Sequence, residues 1–199
     1  AGNLNESVVT LCMDAVKPKL CITFLGEMCN NYYNHSVEVN ITALDDSGIE
    51  EILYSINGTD YMPYHGPFII DVEGVYNITA VAVDHVGNMN VTTAVLILDN
   101  TPPMFTNLII RNWIVENQVC INITWQCMDN ISGVMDYMFI INTGTYIFSG
   151  NTENTWINLT LSLNFTCYNL SLRAMDRAGH VVVMERKNIS VIEEKPRVE

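Results

Sequence analysis

Positive charge is scarce in this chain. Nine lysines and arginines, never more than two in a row, stand against twenty-two aspartates and glutamates, for a formal net charge of −13. That balance excludes a nucleic-acid binder and argues against docking on anionic membrane surfaces, because both need clustered basic side chains. It is compatible with cation binding. Charge of either sign is low, at 16% of residues against 49% apolar. Long hydrophobic runs are missing too. None approaches the roughly 18–20 residues of a membrane span, and the stretch Ala94–Leu98 has only strand length. The opening Ala-Gly-Asn carries no charged-then-apolar leader and would suit a mature N-terminus left after cleavage, and no anchor is visible at the other end.

Catalytic constellations are equally absent. The histidines His35, His65, His85 and His180 occur in no HExxH, no GxSxG is present, and no glycine-rich phosphate cradle exists. Glu50-Glu51 and Glu193-Glu194 read as charged surface pairs rather than a glycosidase dyad. Trp113, Trp125 and Trp156 could stack on sugars, but Trp125 falls on an inward strand phase and belongs to a core. The expectation is a protein that is not an enzyme and has no catalytic residue.

What the chain has in excess is the N-glycosylation sequon. Twelve occur, at Asn5, Asn34, Asn40, Asn57, Asn77, Asn90, Asn122, Asn130, Asn158, Asn164, Asn169 and Asn188. Random placement of its 23 asparagines and 25 serines and threonines would give only about three. The excess points to an extracellular or cell-surface protein whose partners include N-linked glycans, which would supply the hydration that charge does not. Six cysteines are present and none has zinc or redox spacing. Outside the cytosol an even set reads as disulfides.

The chain also repeats itself. Tyr76–Asn88 reads against Tyr168–His180 at an offset of 92, and Leu11–Leu20 against Leu96–Phe105 at 85. Val37–Ile49 reads against Ile121–Val134 at 84, becoming 85 after the inserted Ile131. A period near 90 residues is domain-sized. Within the repeats the period is two: Val37, Val39, Ile41 and Ala43 alternate with polar residues, as do Ile121, Ile123, Trp125 and Cys127. That is a half-buried strand. The sequon residues Asn40, Asn122 and Asn77 fall on outward phases, and Asn169 stands beside the matching Leu170 and Leu172. Asn57-Gly58, after Ile52–Ile56, reads as a tight hairpin turn. The fold class expected is all-β, two tandem sandwiches preceded by an N-terminal extended strand, with boundaries at 1–14, 15–100 and 101–199.

Residues 47–88 resemble the immunoglobulin-like repeat domain of bacterial and archaeal surface proteins. The resemblance rests on Ser47-Gly48-Ile49, Tyr54 to Gly58, Tyr61, Tyr64-x-Gly66-Pro67-Phe68, Gly74-x-Tyr76 and Ala82-x-Asp84-x-x-Gly87-Asn88, with the Thr101-Pro102-Pro103 linker. The second copy keeps the linker, Asn130–Val134 and Tyr168–Gly179 but lacks the Tyr-x-Gly-Pro-Phe segment. The resemblance implies an immunoglobulin-like sandwich and, with the sequons, an archaeal cell surface; it is nearly silent on function.

The repeat leaves one segment without a body. Ser7–Asp14 aligns with Thr92–Asp99, the last strand of the first copy, and Lys187–Glu194 is read as the last strand of the second. With Val8, Val9, Leu11 and Met13 exposed, such a strand is a liability in water. It can fold back on the first domain, continue an upstream domain, or be donated to another copy of the chain by strand addition. Cysteine parity favours donation. Cys21 and Cys29 can close a loop, and Cys120 and Cys167 are read at one pole of the second domain. Cys12 and Cys127 are left over, about 35–45 Å apart in an extended chain, far beyond the ~7 Å that a disulfide spans. Between neighbouring copies they could meet.

These readings combine into a structural subunit of a secreted, glycosylated filament that assembles head to tail as an open homopolymer. Two alternatives stand beside it: a fragment of a larger surface-layer or adhesin array, and a carbohydrate-binding accessory module of a secreted hydrolase. Finally, Asp45, Asp46 and Asp84 in the loops of the first copy, and Asp99, Asp129 and Asp176 in and beside those of the second, converge at one pole of each sandwich. No cofactor is expected apart from Ca²⁺ held by these carboxylates at the domain junctions, with Asx-turns as the simpler use of the same side chains.

Overall fold

The computed structural model describes residues 13–162 and 165–192, and every regular element among them is a β-strand. The first nine strands are β1 (Lys19–Leu25), β2 (Met28–Cys29), β3 (Tyr32–Tyr33), β4 (Val37–Leu44), β5 (Ile49–Ile56), β6 (Met62–Pro63), β7 (Phe68–Ile70), β8 (Gly74–Asp84) and β9 (Met89–Leu98). The remaining seven are β10 (Met104–Val115), β11 (Gln118–Met128), β12 (Val134–Asn142), β13 (Ile147–Thr152), β14 (Trp156–Leu161), β15 (Cys167–Asp176) and β16 (Val181–Ser190). They build two immunoglobulin-like β-sandwiches. The first compact unit takes the described residues up to Leu25, Glu38–Ile69 and Tyr76–Leu96; the second takes Gly26–Val37, Ile70–Val75 and the described residues from Ile97 onward. Within 15–100, Gly26–Val37, Ile70–Val75 and the residues from Ile97 on thus cluster with the second unit.

In the first unit β1-β4-β7 form one sheet, and β9-β8-β5-β6 follow one another in the other. The period-two pattern turns Val39 and Ile41 of β4 inward, and Ile78, Ala80 and Ala82 of β8 and Leu96 of β9 are likewise buried. Asn57 (φ 53°) and Gly58 (φ 74°) are both left-handed, and Thr59 N–H donates to Ile56 O at 3.1 Å. This is the primed two-residue turn that an Asn-Gly pair favours.

In the second unit β10-β11-β14 face β13-β12-β15-β16. One core joins both sheets: Ile121, Ile123 and Trp125 of β11, Ile157 of β14, Phe139 and Ile141 of β12, and Tyr168, Leu170 and Leu172 of β15. Burying these side chains supplies about 1.5–3 kcal/mol each. Trp125 packs edge-on to Tyr137 at 5.2 Å between ring centroids, a geometry that places the positive ring edge on a negative face. Asn112 is buried with its amide donating to the Tyr168 hydroxyl at 3.2 Å. Its carbonyl accepts from Ile192 N–H at 3.0 Å, tying the end of the described chain to β10.

Two expectations change. The last strand of the second unit is β16, Val181–Ser190, not Lys187–Glu194. It pairs with β15 from Val181↔Met175 to Ser190↔Cys167, so register with its neighbour fixes its start six residues earlier than the repeat suggested. Among the described residues no disulfide is formed: Cys21, Cys29, Cys120, Cys127 and Cys167 all carry free thiols. For Cys120 and Cys167 the reason is strand parity. Cys120 sits between buried Val119 and Ile121, and Cys167 precedes buried Tyr168. Each therefore points away from the core, on different sheets of one sandwich. Cys127 faces inward and packs against the core, while Cys12 lies outside the described residues.

Candidate functional site

Six of the sequence-selected carboxylates lie in or beside loops that close the same end of each strand pattern. The structure brings five of them into two clusters and replaces the sixth. In the first unit Asp14, Asp45 and Asp84 converge; in the second, Asp99, Asp129 and Asp176 do. In each set, one oxygen from every carboxylate lies within 4.8 Å of the other two. Asp46 is exposed and takes no part. Asp14 was the residue missed, although Leu11–Leu20 against Leu96–Phe105 already set it opposite Asp99 at the offset of 85.

Local loop geometry explains the convergence. Asp45 Oδ1 accepts from the Ser47 backbone at 2.9 Å and its hydroxyl at 2.8 Å. Asp129 Oδ1 accepts from Gly133 N–H at 2.6 Å and Ser132 Oγ at 3.4 Å. These are Asx-type turns that fold the loop after β4 and β11 back over its own carboxylate. Asp84 and Asp176 end β8 and β15 and lie at 1% and 0% exposure. Asp99 is also fully buried; its Oδ2 accepts from Ser132 N–H at 3.1 Å and its Oδ1 from Thr101 N–H at 3.3 Å.

The two buried end-of-strand aspartates differ in their partners. Asp84 is saturated: Oδ1 accepts from Val86 N–H at 2.9 Å and Asn88 N–H at 2.8 Å, and Oδ2 from the Asn88 amide at 2.8 Å. Burial alone would raise its pKa, but the Asn88 side chain and the backbone N–H groups of Asn88, Val86 and Gly87 outweigh it and hold the carboxyl below its ordinary value. Asp176 Oδ1 accepts from His180 N–H at 2.8 Å. Its Oδ2 is buried with no hydrogen-bond partner. Burial pushes the Asp176 carboxyl up, the His180 N–H and ring oppose this, and the charges of Asp99 and Asp129 add to the rise.

Among the described residues no lysine or arginine forms an ion pair with this second cluster. The ion pairs among the described residues are His85–Glu50 and Lys187–Glu185. Arg177 is near in sequence, but its guanidinium donates to the carbonyls of Ser132 at 3.2 Å and Val134 at 3.5 Å. His180 Nε2 donates to Asp99 O at 2.9 Å.

The acceptor asparagines are placed differently. Asn5 and Asn164 lie outside the described residues. Asn57, Asn77, Asn130, Asn158, Asn169 and Asn188 are exposed, and Asn34, Asn40, Asn90 and Asn122 are half-buried. Several stand beside one another: Asn77 N–H donates to Asn57 Oδ1 at 2.8 Å, Asn188 N–H to Asn169 Oδ1 at 2.8 Å, and the Asn122 amide to Asn158 Oδ1. Of the proposed contact residues, Val8, Val9 and Leu11 fall outside the described chain, while Met13 is 89% exposed and outside any strand. No helix of the described residues is long and apolar enough to cross a membrane.

No protein-family model matches the chain, and no curated protein matches it. Solved structures with a similar arrangement include the fibronectin(III)-like modules of Clostridium thermocellum CbhA, at 13% identity and a TM-score of 0.40, covering 90% of this chain and 98% of that one. A bacterial 1.5-MDa ice-binding adhesin is similar at 9% identity and a TM-score of 0.45, over 89% of this chain and 66% of that one. A two-domain fibronectin type III segment of chicken tenascin is similar at 12% identity and a TM-score of 0.36, over 87% and 100%.

Proposed function

We propose that this chain is a non-catalytic structural module of a cell's outer surface, exported from the cytosol and coated with N-linked glycans. One observation carries the reading: the acceptor asparagines keep off the cores. A branched sugar needs open space at its attachment atom, and none of the ten described acceptors is buried. Asn112, the buried asparagine of the described residues, is not in a sequon. The cross-strand neighbours Asn57 with Asn77, Asn122 with Asn158 and Asn169 with Asn188 would set sugars side by side, covering sheet surface that carries few charges.

Glycopeptide mapping of the protein from its native source tests this. Sugars are expected on the exposed sites first. Asn34, Asn90 and Asn122 should be modified least, because their amides donate to Ala178 O at 3.2 Å, to Pro18 O at 2.8 Å and to Asn158 Oδ1. Unmodified asparagines throughout would overturn the reading.

The finer form of the proposal is a filament in which residues 1–14 of one copy are donated to the next. Its support is the duplication, which gives that segment the sequence of a final strand without a body of its own. A heterologous contact repeated between identical copies yields an open fibre when its rotation does not close. Electron microscopy of material shed from native cells should show fibres. If the full chain stays monomeric at every concentration, the filament falls while the glycan-coated module stands.

A further inference from the structure

We propose that Asp99, Asp129 and Asp176 form a binding site for one Ca²⁺ ion. The proposal is independent of the glycan reading. Three carboxylates within 4.8 Å of one another would by themselves be an ordinary acidic loop. What distinguishes this set is that Asp99 and Asp176 are fully buried and Asp176 Oδ2 is a buried acceptor with no hydrogen bond. A buried charge without a partner is strongly unfavourable, and proteins meet that cost by pairing it, protonating it or coordinating a metal. No lysine or arginine of the described residues pairs with these carboxylates, and the nearby Arg177 is committed to carbonyls.

The chemistry of the donors selects the ion. All three are carboxylate oxygens, which suit hard cations; zinc and copper sites favour imidazole or thiolate. His180 is close, but its Nε2 is donating to Asp99 O and the residue is not among the side chains that converge. The loops supply donors from three separate parts of the chain in an irregular arrangement. Ca²⁺ accepts six to eight oxygens in such geometry, whereas Mg²⁺ demands a near-ideal octahedron and gives up its waters reluctantly.

The first unit provides an internal comparison. Asp14, Asp45 and Asp84 hold the same repeat positions and also converge. There Asn88 covers Asp84 Oδ2 at 2.8 Å, so no buried oxygen is left over. The proposal is therefore confined to the second unit.

The test is calorimetric titration and thermal melting of the full chain, freed of metal with a chelator and then given Ca²⁺ or, in parallel, Mg²⁺. The expected result is about one Ca²⁺ bound per chain, with a dissociation constant on the order of 10⁻⁵–10⁻³ M, a raised melting temperature, and a weaker response to Mg²⁺. Asp176→Asn should abolish both the heat and the shift while melting higher than wild type in chelator, which an aspartate with a purely structural role would not do. Asp129→Asn, at a half-exposed position, should weaken binding at least about tenfold and decides the matter if Asp176→Asn does not fold. Asp84→Asn should leave the titration unchanged. No heat and no shift in wild type, or an undiminished response in Asp176→Asn and Asp129→Asn, overturns the proposal. The buried carboxylate would then be carried as a neutral acid.

Discussion

Asn88 and His180 each stand four residues after an equivalent aspartate, and only Asn88 turns its side chain onto that aspartate. Asn88 Nδ2 donates to Asp84 Oδ2 at 2.8 Å, whereas His180 Nε2 reaches Asp99 O at 2.9 Å and leaves Asp176 Oδ2 bare. One difference between two copies of a loop separates a saturated carboxylate from an unsatisfied one.

Asn88→Ala should orphan Asp84 Oδ2 and lower the melting temperature of the first unit by a few degrees, because a hydrogen bond to a charged acceptor is lost inside the fold. The pH dependence has a definite sign. Asp84 titrates below its ordinary value of 3.8, so the stability it contributes is present above that value and disappears as pH falls through the folded pKa. Denaturant melts between about pH 5 and pH 2 should show a shallower acid limb for Asn88→Ala than for wild type. Superimposable limbs would remove the Asn88 contribution.

The thiols should react in two classes. Cys21 and Cys167 are exposed and should label promptly with an aromatic disulfide reagent at neutral pH. Burial pushes the Cys127 thiol up to about 11, with the charge of Asp129 adding to the effect against the Met128 N–H. Its reactive thiolate is then about one part in a thousand at pH 8, and it should label only on unfolding. Because this pKa is raised, the stability tied to the neutral thiol is present below 9.0 and lost as pH climbs toward about 11. Prompt modification of Cys127 in the folded protein would contradict its inward placement.

Tyr168→Phe should destabilise the second unit by about 1–3 kcal/mol, because it leaves the buried Asn112 amide without its acceptor at 3.2 Å. Urea denaturation followed by tryptophan fluorescence reads this directly. Asn112→Leu should not rescue it, because that change also takes away the acceptor of the Ile192 N–H at 3.0 Å.

Gly150 lies across from Phe139 in the β12–β13 pairing. A Cβ at residue 150 would sit 2.9 Å from two carbons of the Phe139 ring. Gly150→Val should therefore push that ring off its seat and lower stability by about 1–3 kcal/mol through overpacking. Phe139→Leu in the same background should recover part of it, and an unchanged melting curve for Gly150→Val would show that the ring is not closed over the glycine.

Much of the fold was legible because strand alternation is local. Val37, Val39 and Ile41 show their inward phase without any partner strand, and so do Ile121, Ile123 and Trp125. The two carboxylate clusters were mostly legible too, since the duplication marks the same loop positions twice. Asp46 was misplaced because it neighbours Asp45 in sequence, while one residue along a loop is enough to turn a side chain to solvent. Asp14 was passed over because its segment looked like part of another body. The pairing of Cys120 with Cys167 failed on parity: both lie on outward phases, which their buried neighbours Val119, Ile121 and Tyr168 already imply.

The sequence by itself determined two sandwiches, their inward faces and the positions of the sequons, because each depends on neighbours one or two residues away. Only the tertiary structure decided that Gly26–Val37 and Ile70–Val75 cluster with the second unit, that β16 begins at Val181, and that Asp176 is left with a bare oxygen. These outcomes depend on register and on which distant side chain reaches a given atom. Such contacts form between segments far apart in the chain, 144 residues for Asn34 and Ala178, where local pattern carries no information.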